Sequence, residues 1–121
     1  MSSSDHRDGF TKVINWGQAL YLEATMLHPG GLKAAVDRIH QNVGKSYGTR
    51  NTFKTLFDFD DVPDSDKQRE RAYLLLLALG QDPRSWGLGA VTFPPGIRLD
   101  SLRDQGLSAC RCTAHGELVA A

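Results

Sequence analysis

At 121 residues the chain has room for one folded domain and a tail, not for a second core. Apolar residues make up 40% and charged residues 23%, which sets it apart from disordered chains. The longest aliphatic run, Leu74 to Leu79, is too short to span a bilayer, and Met1-Ser-Ser-Ser-Asp-His lacks the apolar stretch of a secretory signal, so a cytoplasmic location is expected. Cys110 and Cys112 sit one residue apart, a spacing ill suited to a disulfide and consistent with a reducing compartment.

Thr11 to Leu27 is the first periodic segment. Val13, Gly17, Leu20, Ala24 and Leu27 recur at spacings of three and four, Thr11 is placed to cap, and His28-Pro29-Gly30-Gly31 ends the run. A second amphipathic segment covers Leu32 to Val43, with Leu32, Ala35, Val36, Ile39 and Val43 on one face and Gly44 as its stop. Gly44 to Gly48 reads as a tight connection. The third segment opens at Thr49, a good N-cap, and reaches about Phe57, with Phe53, Leu56 and Phe57 inward and Arg50, Asn51, Lys54 and Thr55 outward.

An acidic connection, Asp58 to Asp64, leads to a capping box in which Ser65 is followed three residues later by Gln68. The helix it opens should turn Ala72, Leu75, Leu76 and Leu79 inward and close at Gly80. Asp82-Pro83 starts a short helix to about Trp86. These elements define an all-α bundle of about five helices over residues 10–88. Residues 89–121 are expected to form an irregular C-terminal extension, with one weak helix between Ile97 and Leu107 and no periodicity from Ser108 onward.

The zero net charge hides a segregation of charge. Between Lys33 and Phe57, five basic residues (Lys33, Arg38, Lys45, Arg50, Lys54) face Asp37 alone, whereas Asp58 to Asp66 holds five aspartates and no base. Local charge sets the potential that phosphate meets, so a neutral chain with one basic helical segment remains a candidate for nucleic acid. Two short amphipathic helices joined by a Gly-containing turn are how a helix-turn-helix unit offers its second helix to the major groove. Arg50 suits guanine O6 and N7, Asn51 suits adenine N6 and N7, and Thr49, Lys54 and Thr55 complete the candidate base-contacting set. Lys33, Arg38, Lys45, Ser46 and Tyr47 are candidate backbone contacts, which position without specifying. The same polar face also fits the plain solvated side of a core helix.

Other constellations carry less. Cys110, Cys112 and His115 would make three zinc ligands where a closed site needs four, so no metal is expected. The aspartates of 58–66 lack the glycine and terminal glutamate of a calcium loop. No phosphate-binding glycine loop, nucleophile elbow or HExxH occurs, so neither enzyme activity nor a cofactor is expected.

The stretch from Pro29 to Leu88 resembles the phage-repressor (lambda-repressor-like) helix-turn-helix family. Ala72-Tyr-Leu-Leu-Leu-Leu-Ala-Leu-Gly80, followed by Gln-Asp-Pro-Arg-Ser-Trp86, is similar to that family's fourth and fifth helices, and the segment is also similar to immunity repressors of temperate actinobacteriophages. The connection from Gly44 to Thr49 is a few residues longer than the family's usual turn. The resemblance implies a repressor that binds a double-stranded DNA operator, with a Cro-like or excision-control regulator as the nearest alternative. A homodimer is compatible with it. A helical interaction module, such as a small terminase subunit or an antitoxin, is the reading from a different class. Glu117-Leu118-Val119-Ala120-Ala121 resembles the tail tag that bacterial AAA+ proteases recognise, making Leu118 to Ala121 a candidate degron and a host protease a candidate partner.

Overall fold

Asn15 starts the first helix of the computed structural model, which describes residues 14–120 and, within its last helix, side chains as far as Ala109. The Asn15 side chain accepts from Gln18 N at 2.8 Å while Gln18 Oε1 accepts from Asn15 N at 3.0 Å, so two donors at the helix start are satisfied reciprocally. The expected cap at Thr11 lies outside the described residues. Helix α1 comprises Trp16–Leu22 and continues as a π-helical turn over Glu23–Leu27. That wide turn changes the register: Leu20 and Ala24 are fully buried as the periodicity predicts, but Leu27 is turned out and two-thirds exposed. A spacing rule based on 3.6 residues per turn fails where the ladder shifts to i→i+5.

Helix α2 (Gly31–Val43) buries Leu32, Ala35, Val36 and Ile39, as its pattern predicts, and ends at Gly44. Helix α3 (Arg50–Lys54) is short and tightens into a 3-10 turn over Thr55–Asp58, burying Phe53 and Leu56. Helix α4 (Asp66–Ala78) is capped by Ser65, whose hydroxyl accepts from Gln68 N. A 3-10 turn, Pro83–Trp86, follows, with the Asp82 carboxylate accepting from Arg84 N at 3.1 Å. Helix α5 (Leu99–Ala120) completes five α-helices, with no strand among the described residues.

The acidic connection after α3 is fastened to the start of α1. Trp16 N and Gly17 N donate to the carbonyls of Asp60 and Phe59, and Asn15 Nδ2 donates to Asp60 Oδ1 at 3.1 Å. The negative charge of this segment thus lies beside a helix N-terminus, where it is favourable. Trp16 meets Trp86 edge to face at 6.2 Å and donates to the Trp86 carbonyl, closing the first helix against the 83–86 turn.

The extension differs most from expectation. The helix begins at Leu99, not Ile97, and runs through Ala120 where an irregular tail was expected, and it packs on both α2 and α4. Leu102 is fully buried, and a Cβ added at Gly106 would collide with the Leu77 carbonyl oxygen, so this glycine is what lets the two helix backbones touch. Packing against a second helix supplies stability that local propensity does not advertise. α4 is buried on more than one face: Leu74, Leu77 and Ala78 are covered along with the expected Ala72, Leu75, Leu76 and Leu79, and the Leu77 and Ala78 carbonyls lie against α5 at Gly106. The core therefore does not end at Leu88.

Candidate nucleic-acid interface

The connection between α2 and α3 is held from inside. Tyr47 is buried, its ring 6.0 Å from that of Phe93, and its carbonyl accepts from Arg71 Nε at 2.8 Å. Burial raises the Tyr47 phenol above its ordinary range, with Glu70 adding to the effect. With Tyr47 anchored, its neighbours Lys45 and Ser46 stand in solvent. Gly48 takes φ +130°, and a Cβ there would run into the Thr52 side chain, so the chain turns into α3 at a position only glycine fills without strain. The Gly48 carbonyl accepts from His40 Nε2 at 2.8 Å, and Thr49 N donates to Thr52 Oγ1 at 3.2 Å.

Phe53 and Leu56 face the core, which turns Thr49, Arg50, Asn51, Lys54 and Thr55 to solvent. The Thr55 hydroxyl donates back to the Thr52 carbonyl at 2.6 Å. Where α2 meets the start of α3, a shallow concavity of about 290 Å³ is lined by Lys33, Val36, Asp37 and His40 on one side and by Thr49, Arg50 and Asn51 on the other. Lys33 Nζ lies 3.2 Å from Asp37 Oδ2, both well exposed, so the pair is screened and holds the ammonium only weakly.

Lys33, Thr49, Arg50 and Asn51 thus share one surface, with Lys54 and Thr55 exposed on the same short helical segment. Two expected backbone contacts do not join them. The side chain of Tyr47 belongs to the core. Arg38 is turned inward: its Nη1 lies 2.7 Å from His28 Nε2 and 3.2 Å from the Ala78 carbonyl, tying α2 to the turn before it and to the end of α4. Position 38 lies one residue from fully buried Ile39, so a long side chain there reaches across the helix edge instead of outward. Burial first, and then the Arg38 charge, lower the His28 imidazole to about 4.

Asp37 and His40 were not among the candidates read from the sequence, although successive spacings of four (Lys33 to Asp37) and three (Asp37 to His40) put all three on one face of α2. Arg71 and Arg98 were also missed. Arg98 Nη2 donates to the Gln41 carbonyl at 2.7 Å and Arg98 N to the Asn42 carbonyl at 3.1 Å, satisfying the C-terminal end of α2 with residues more than fifty positions away. No local pattern signals such a cap.

Among the described residues no group of three or more His, Cys, Asp or Glu is placed to hold a metal ion. The side chains of Cys110, Cys112 and His115, and of the degron candidates Leu118, Val119 and Ala120, lie outside those described, as does Ala121. No helix among the described residues is long and apolar enough to cross a membrane. Comparison with protein-family models, with curated proteins and with solved structures finds no match.

Proposed function

We propose that this protein is a sequence-specific double-stranded DNA-binding repressor in which α3 reads the major groove and operator occupancy excludes polymerase from an overlapping promoter. The observation that supports it is the concavity between α2 and α3, where Lys33, Arg50 and Asn51 converge while the apolar side of both helices is sealed in the core. Arg50 and Asn51 occupy the first turn of α3, the part of a recognition helix nearest base edges, and both residue types bond bases bidentately. Lys33, Lys45 and Ser46 flank them as phosphate contacts. The temperate-phage assignment is supported by the resemblance of Pro29 to Leu88 and by nothing else.

The test is selection of bound sites from random duplexes, followed by titration of the enriched site with Arg50→Ala and Asn51→Ala. Each should cost about 1–3 kcal/mol of discrimination at one base position, with the melting temperature unchanged because both side chains are exposed. Failure to enrich any sequence would overturn the reading and favour a helical assembly module. A Cro-like or excision-control regulator would also enrich a site, and would be recognised by the location of that site in its own genome.

A further inference from the structure

The chain turns into α3 on Gly48, the residue type with the most backbone freedom to lose, so something outside it must hold the pivot still. Two consecutive carbonyls there are held from two different helices. Arg71 Nε of α4 donates to the Tyr47 carbonyl and His40 Nε2 of α2 donates to the Gly48 carbonyl, both at 2.8 Å. Gly48 N closes the turn by donating to the Lys45 carbonyl at 3.0 Å. The α-helix that follows has five residues, too few to fix its own direction, and Phe53 and Leu56 anchor only the end of its first turn and what lies beyond.

We infer that His40 is a positioning residue for base readout: by holding the Gly48 carbonyl it sets the direction of the first turn of α3, and with it the aim of Arg50 and Asn51. The tether stands on geometry; its purpose rests on the DNA-binding reading. The peptide plane is the first reason. The Gly48 carbonyl and the Thr49 N–H belong to one rigid peptide unit, so its two ends cannot move independently. His40 holds the oxygen, and Thr52 Oγ1 accepts from the nitrogen at 3.2 Å in the capping box of α3. Location is the second. His40 lines the same concavity as Arg50 and Asn51, whereas Arg71 acts on the turn from α4. Chemistry is the third. An imidazole has two rotatable side-chain bonds, so ordering it against a carbonyl costs less entropy than ordering a glutamine or lysine. Bidentate contacts to a base require two bonds aligned at once, so a tilted first turn loses them, while phosphate contacts from the long side chains of Lys33 and Lys45 tolerate the tilt.

The test compares the full chain with His40→Phe, which keeps a ring and removes the donor, and with His40→Gln, which restores a donor. Hydrogen exchange of the Phe53 amide, which donates to the Thr49 carbonyl at 3.1 Å, reads the tether without DNA. Its protection should drop about fivefold in His40→Phe and recover in His40→Gln. Unchanged protection overturns the inference. Against the duplex enriched from random sequence, His40→Phe should bind about tenfold more weakly, and against an unrelated duplex within about twofold of the parent. His40→Gln should recover most of the specific loss. Equal losses on both duplexes would make His40 a phosphate contact and overturn its role through Gly48. His40→Ala is the second donorless variant, free of any clash from a new ring, and should show the same separation of specific from non-specific loss. If no sequence is enriched, the repressor reading falls and the purpose assigned to His40 with it, a result that the exchange data distinguish from the absence of a tether.

Discussion

Truncating Leu102 to alanine asks whether α5 belongs to the folded unit. The side chain is fully buried where α5 packs on α2 and α4, and four residues further along, at Gly106, the α5 backbone rides directly over the carbonyls of Leu77 and Ala78. Backbone held that close cannot move inward to fill a void, so the lost transfer energy comes with most of the cavity cost. A Leu→Ala change in such a place costs about 2–5 kcal/mol, and the rigid setting puts the expectation near 3. For a folded unit of about 100 residues that lowers the melting temperature by roughly 12 °C or more. Thermal and urea unfolding followed by circular dichroism would measure it, with the m-value unchanged if the transition stays two-state. Gly106→Ala should act in the same direction, through the collision of its Cβ with the Leu77 carbonyl. If Leu102→Ala melted within a degree or two of the parent, α5 would be a loosely attached tail and the fold would end near Leu88 after all.

Arg38→Met keeps the apolar stem and removes the donor to His28 and Ala78, so it should cost about 1–3 kcal/mol of stability while leaving operator affinity of the folded protein unchanged; a loss of affinity without a loss of stability would return Arg38 to the DNA face. His28 binds its proton only near pH 4 when folded, against about 6.5 unfolded, so its contribution is fully present above pH 6.5 and is lost as pH falls toward 4. The stability lost across that window should approach about 3 kcal/mol, and the pH slope should shrink in His28→Gln; equal slopes for parent and variant would show that the imidazole titrates normally. Lys45→Ala, at an exposed position on the turn, should weaken binding to all sequences alike and lower the salt slope by about one; a base-specific loss would contradict its role as a phosphate contact.

Local chemistry was enough to read α2, α3 and the start of α4. Their signals are short-range: an apolar face at helical spacing, a serine three residues before glutamine, a glycine where the helix must stop. The outward placement of Arg50, Asn51 and Lys54 followed from the inward placement of Phe53 and Leu56, because a helix that buries one side presents the other. What the chain does beyond a few residues was decided elsewhere. Leu27 faces solvent because a π turn shifts the register, and no 3.6-residue pattern anticipates that shift. Arg38 and Tyr47 looked like surface residues in sequence and are drawn inward by partners ten to forty-six positions away, His28, Ala78, Phe93 and Arg71. Leu77 and Ala78 are buried where α5 comes back across α4 through the gap left by Gly106, and Leu74 is buried on the same helix, so α4 loses its polar side over that stretch. Periodicity reports which face of an element is apolar; whether a second element arrives to cover the other face is a tertiary event, settled by how closely two backbones can approach.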